Sequence, residues 1–291
     1  MTLFQTIIIS IVEGLTEFLP VSSTGHMLIA ENLLGVQNSA FVRAFTIIIQ
    51  FGAILSVVVL YWKRFFHLDH SSAPADSNNW KKFKHKWNFY WMLLVAFVPT
   101  AVIGLVMKKS GAIDFFLDPS HAIWIVPSTL IAGGIFMLFC DRIFNKGRDE
   151  NRITEKRAFW VGVIQCISMI PGVSRSMSTI VGGMSQKLTR KNAAEFSFFL
   201  AVPTMAAATG LDVLELFVGG NAVGTGWASA HNLFLLVVGC AVAFIVALFA
   251  MKWFVSFLTK YGFRLFGWYR ILVGGIILTL LFMGHSLVIF N

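Results

Sequence analysis

Glu13-Gly14-Leu15-Thr16-Glu17-Phe18-Leu19-Pro20-Val21-Ser22-Ser23-Thr24-Gly25-His26 places two carboxylates, a run of hydroxyls and an imidazole inside sequence otherwise suited to hydrocarbon. A second stretch, Pro171-Gly172-Val173-Ser174-Arg175-Ser176, adds a guanidinium in the same kind of surroundings. Ionisable groups at membrane depth are costly and by default mark a functional site. In both stretches a proline stops one helix and hydroxyl residues open the next. A half-membrane helix started this way turns its N-terminus, with its free N–H groups, toward an anion.

The rest of the chain supplies the hydrocarbon. Of 291 residues, 57% are hydrophobic and 13% charged, and the mean hydropathy is +0.75. That balance excludes an ordinary soluble domain and requires a multi-spanning membrane protein. The net charge of +9 does not indicate nucleic acid, because the basic residues sit in short loops between apolar runs, where they act as topology signals. Cys140, Cys166 and Cys240 lie in apolar stretches without metal-ligand spacing and read as small core hydrophobes. Residues 1–30 lack a basic leader region and a cleavage site, and Glu13 comes early, so they are expected to belong to the mature fold.

Six runs are long enough to cross a bilayer, near 40–62, 88–107, 121–140, 192–215, 233–251 and 268–288. Two further apolar stretches, near 2–35 and 158–188, are interrupted at Pro20 and Pro171, and each reads as a re-entrant hairpin. The Lys- and Arg-rich segments 63–87 and 141–157 should face the cytoplasm, and 216–232, with neither residue, should face outward. Both termini then lie outside. Segment 108–120 is a weaker signal, and the Ser/Asn/Ala-rich stretch 71–79 reads as a flexible loop tip.

The chain is similar to itself at an offset of 151 residues: Pro20 maps to Pro171, Ser23 to Ser174, and Ala44-Phe45-Thr46 to Glu195-Phe196-Ser197. The expected fold is therefore an all-α integral membrane protein with six transmembrane helices and two re-entrant helix hairpins in an inverted-topology repeat. Residues 1–140 form the first repeat, 141–157 a cytoplasmic linker, and 158–291 the second repeat. The site of such a fold is expected near the midplane, where the broken helices meet. The halves differ where chemistry would happen. Glu13 faces Ile164, Glu17 faces Ser168 and His26 faces Met177, whereas Thr24 faces Arg175. One half supplies acid, base and nucleophile candidates, and the other supplies the cation.

Glu13 and Glu17, four apart on one helical face, either share a proton or bind a cation together. Ser22, Ser23 and Thr24 open the second half-helix. At least one should cap it, while hydroxyls and free N–H groups contact phosphate and Gly25 allows close backbone approach. A neutral His26 in the first turn could attack phosphorus or take a proton from a serine. Arg175, flanked by Ser174 and Ser176 with Thr179 one turn on, reads as an anion clamp. Gln50 either hydrogen-bonds to the site or ties helices together. Gly133-Gly134 and Gly274-Gly275 suit close helix packing. A pyrophosphate fits this positive well with carboxylates at its rim.

The two motifs resemble those of the bacitracin-resistance type undecaprenyl pyrophosphate phosphatases. So do Gly182-Gly183-Met184 and Ala194-Glu195-Phe196-Ser197-Phe198-Phe199-Leu200-Ala201-Val202-Pro203. Met177 departs from the small Gly common at that place in the family, which bears on how the second half-helix packs. The resemblance implies an enzyme of the bacterial inner membrane that removes the terminal phosphate from undecaprenyl pyrophosphate through an outward-opening site. It supports peptidoglycan synthesis and bacitracin resistance. Glu13 and Glu17 become acid/base or metal-binding groups, Ser23 and His26 nucleophile candidates, and Ser174, Arg175 and Thr179 phosphate binders. A divalent cation, Mg or Ca, is implied as cofactor. The partners are the polyprenyl pyrophosphate lipid and the bilayer; the oligomeric state stays open, a homodimer included. The rival reading is a transporter or flippase of a phosphorylated polyprenyl lipid using the same midplane site.

Overall fold

A computed structural model describes residues 1–37, 39–66, 87–218 and 229–283. The expectation for 71–79, most of the outward segment 216–232 and the end of the last expected span lie outside the described residues. The described residues are helical with no strand: α1 (Leu3–Thr16), α2 (Ser23–Leu33), α3 (Ala40–Leu60), α4 (Trp62–Phe66), α5 (Asn88–Lys109), α6 (Ala112–Leu117), α7 (Pro119–Ile143), α8 (Glu155–Gln165), α9 (Arg175–Ser185), α10 (Arg190–Val218), α11 (Ala230–Tyr261) and α12 (Arg264–Phe282). A single 3₁₀ turn, Cys166–Met169, extends α8 toward the second break.

Among the described residues, six helices are long and apolar enough to cross a membrane: Ala40–Leu60, Asn88–Lys109, Ser120–Ile143, Arg190–Leu214, Ala230–Tyr261 and Arg264–Phe282. They match the six runs read from the sequence, although the fifth begins and ends beyond 233–251. The protein is a multi-pass membrane protein. Its burial pattern agrees, because Val237, Phe249 and Leu265 are exposed whereas Ser10, Glu13, Ser176, Thr179 and Arg270 are buried. In water that distribution would be unfavourable; in lipid it is the expected one.

Local chemistry sets the helix starts. Thr2 and Gln5 form a capping box on α1, Ser39 caps α3, Thr154 caps α8 and Ser174 caps α9 through the N–H of Met177. The start of α2 is different. Its N-cap residue Ser22 has φ +73° and makes no side-chain cap bond. The expected hydroxyl cap is therefore absent at the N-cap, because a cap needs extended backbone there and the left-handed turn after Pro20 denies it. The first turn of α2 keeps its donors for another partner.

The arms cross over in their packing. α1 lies against α11, and α8 lies against α5. α3 meets α10, and α7 meets α12 along its length. Glycines permit these approaches: a Cβ on Gly14 would stand 2.7 Å from the Ala243 carbonyl oxygen, and one on Gly162 would stand 2.0 Å from that of Ala96. Close backbone contact through small residues is the main source of helix association in lipid. Gly162→Val should therefore lower stability by about 1–3 kcal/mol, the usual cost of overpacking. Gly275→Ala, which meets nothing within 4 Å, should be neutral. Thermal melting of both purified variants in detergent measures the difference.

Candidate active site

The two breaks come together. Ser176 Oγ donates to the Leu19 carbonyl at 2.8 Å, so the second motif is tied directly to the first. Ser174 Oγ lies 2.9 Å from Ser176 Oγ. A cavity of about 330 Å³ opens at this junction. Glu17, Ser22, Ser23 and Thr24 line it from the first motif, and Val173, Ser174 and Arg175 line it from the second, with Ser168 from the turn just before it. These are four pairs at the offset of 151.

A continuous polar chain crosses the cavity wall. Ser23 Oγ donates to Glu17 Oε2 at 2.6 Å, and Glu17 Oε1 accepts from Arg175 Nη2 at 3.0 Å. The carboxylate thus joins the hydroxyl of one half to the guanidinium of the other. Arg175 also reaches the Ser197 carbonyl at 3.3 Å and sits over the Phe18 ring. Its buried Nε has no hydrogen-bond partner among the described residues. A buried unpaired donor is unfavourable unless a ligand completes it, and an anion in the cavity would do so. The uncapped start of α2 adds backbone donors on the same side.

The other residues singled out in the sequence lie around this core. Glu13 is buried behind Glu17 and interacts with it, and its Oε1 has no hydrogen-bond partner among the described residues. His26 does not line the cavity. Its Nδ1 lies 2.8 Å from the Ser22 carbonyl oxygen, and its Nε2 lies 2.7 Å from the Tyr269 hydroxyl. A carbonyl only accepts, so Nδ1 carries the hydrogen; in the neutral ring Nε2 then accepts from Tyr269. The histidine lone pair is directed at α12 and the serine proton at Glu17. Gly25 faces α7, where a Cβ would stand 3.5 Å from Val126. Ser176 and Thr179 are buried away from the cavity, and Thr179 Oγ1 lies 2.5 Å from Ser197 Oγ. Gln50 lines the cavity, and its Oε1 accepts from the Thr209 hydroxyl at 3.4 Å, a tie between α3 and α10.

Sequence reasoning missed the neutral polar part of the cavity wall made by Thr100, Gln165, Ser168 and Thr204. Ser168 had a signal, since the repeat alignment pairs it with Glu17. It also missed Arg270, although a lone Arg in an apolar span is the kind of signal that drew attention to Arg175.

Comparison with known proteins identifies the family. The family described as "Bacitracin resistance protein BacA" matches residues 6–276. The chain belongs to the BacA family. A Porphyromonas gingivalis protein named undecaprenyl-diphosphatase is 50% identical over 290 residues, covering 99% of this chain and 100% of its own length. Proteins of the same name from Bdellovibrio bacteriovorus and Aquifex aeolicus are 46% and 41% identical, covering 99% and 94% of this chain and 99% and 96% of their own.

If Arg175 holds the anion, Arg175→Ala should weaken binding of methylene bisphosphonate by roughly 10- to 100-fold, the usual worth of a charge-assisted hydrogen bond. Titration calorimetry in detergent reads the change, and unaltered affinity would remove Arg175 from the binding role.

Proposed function

We propose that this BacA-family protein is an undecaprenyl-diphosphatase, a membrane hydrolase that converts undecaprenyl pyrophosphate to undecaprenyl phosphate and inorganic phosphate. The product is the lipid carrier for cell-wall building blocks. Resistance to bacitracin follows, because the enzyme consumes the lipid that bacitracin binds. The observation that carries the mechanism is the Ser23–Glu17–Arg175 chain. A pure binding site would have no use for a serine held at 2.6 Å from a carboxylate beside a cation.

In this reading the diphosphate enters the cavity and draws Arg175 from Glu17 onto its oxygens. Glu17 is then free to accept the Ser23 proton. Ser23 Oγ bonds to the terminal phosphorus as the bridging P–O bond breaks, and the electron pair leaves with undecaprenyl phosphate. Glu17 passes its proton to that leaving group. Water next attacks the phosphoserine, giving its proton to Glu17, which returns it to Ser23 Oγ as phosphate departs. Arg175 and the N–H groups of α2 offset the charge on the phosphoryl oxygens throughout, the main lever in phosphoryl transfer. His26, bonded to Tyr269 and to the Ser22 carbonyl, supports the elbow instead of attacking.

The carboxyl pair fits a divalent cation only in part. Among the described residues no group of three or more His, Cys, Asp or Glu could hold a metal. Glu13 Oε1 is unpartnered, however, and Glu17 stands beside it. Two carboxylates suit a hard cation, Mg or Ca, whose shell is completed by substrate phosphate and water. Bound there, such an ion would add neutralising charge at the phosphates.

Two re-entrant hairpins in an inverted repeat complete the reading. The four cavity-lining pairs support it, and so does the crossed packing of α1 on α11 and α8 on α5. With the basic segment 141–157 in the cytoplasm, the site opens outward from the bacterial inner membrane.

Brief reaction of the purified protein with substrate labelled on its terminal phosphate should place the label on Ser23. Ser23→Ala should abolish both label and turnover, while His26→Gln keeps the label. Label on His26 would overturn the assignment. Chelation with EDTA should lower phosphate release, and added Mg or Ca should restore it. Phosphate release at wild-type rate from Glu17→Gln would exclude that residue as the base.

A further inference from the structure

Arg270 belongs to neither motif, yet it is the largest of the fully buried side chains. Its guanidinium donates from Nη1 to the Pro20 carbonyl at 3.2 Å and from Nη2 to the Gly172 carbonyl at 2.9 Å. It also reaches the carbonyls of Thr129 at 3.1 Å and Leu130 at 3.3 Å on α7. Among the described residues all four of these bonds end on backbone oxygen. Two of those oxygens belong to the two helix breaks, where the chain has left its helical ladder. The other two are exposed because the residues four positions on, Gly133 and Gly134, carry no side chain. A Cβ on Gly133 would stand 2.6 Å from Arg270 Nη2.

The two break carbonyls lie three residues before Ser23 and three before Arg175. Lateral movement of one break relative to the other would separate the serine and Glu17 from the guanidinium that faces them. The planar fork of Arg270 fixes that separation, which a single ammonium could not do.

We infer that Arg270 is a positioning residue for phosphoryl transfer: it clamps the two helix breaks to α7 and so sets Ser23 and Glu17 against Arg175 without touching substrate. This inference rests on the proposed hydrolase activity. It bears on turnover more than on affinity, because Arg175 and the N–H groups of α2 can each still contact the diphosphate when the clamp is loosened, whereas in-line attack needs both breaks in register.

The test uses the full-length protein in detergent with undecaprenyl pyrophosphate, measuring kcat, KM and melting temperature together. Wild-type phosphate release tests the activity itself; the variants, relative to wild type, test the clamp. Arg270→Lys keeps the charge and loses the fork, and should lower kcat about 100-fold, the scale of an ångström-level misplacement. KM should change less than about threefold. In Arg270→Lys a further Arg175→Lys change should cost much less than it does alone, because the geometry it relies on is already lost. Should Arg270→Lys fail to fold, two milder variants decide. Gly133→Ala pushes on the guanidinium, and Thr129→Val removes the hydroxyl that donates to the Pro171 carbonyl at 2.7 Å on the same break. Each should lower kcat about tenfold at unchanged KM. Wild-type kcat in the folded variants, or a loss carried wholly by KM, would overturn the inference.

Discussion

Breaking a helix inside an apolar bundle strands carbonyl oxygens where no water can reach them. This protein does so twice, at Pro20 and at Pro171, and both sets of orphans are met from elsewhere in the fold. Ser176 serves Leu19, Thr129 serves Pro171, and Arg270 serves Pro20 and Gly172 at once. The breaks are thus joined by the donors that make them tolerable. Any site built on one break is placed relative to the other by the same bonds.

The two halves bring unlike chemistry to that junction. Position 17 carries a carboxylate and its counterpart 168 a hydroxyl; position 24 carries a hydroxyl and its counterpart 175 a guanidinium. All four face one cavity. Identical residues at the paired positions would set like charges against each other there. The differences at these two pairs instead yield an ion pair with a serine attached to it.

Much of this was legible in the sequence. The six long apolar helices follow from length and composition, and the breaks follow from Pro20 and Pro171 with the hydroxyls after them. Membership of the motifs in one site follows from the cost of placing Glu17 and Arg175 in lipid. The hydrogen-bond partners were not legible. That Ser23 is directed at Glu17 while His26 is directed at Tyr269 depends on which face of α2 meets α12, a contact between residues 243 positions apart. The left-handed backbone of Ser22 has no local signal, since serine rarely adopts it. The role of Arg270 depends on Gly133 and Gly134, which by spacing alone mean only close packing.

The crossed arms bear on how the molecule is made. α1 finds its main neighbour in α11, which begins at Ala230. A chain inserted in order from its amino end must hold α1, with the buried Glu13, without that neighbour until most of the protein has entered the bilayer. The amino-terminal portion is therefore not a self-sufficient intermediate. The packing around α1 and Glu13 is completed only when the last fifth of the polypeptide arrives, so closure of the bundle on this side is a late event in biogenesis.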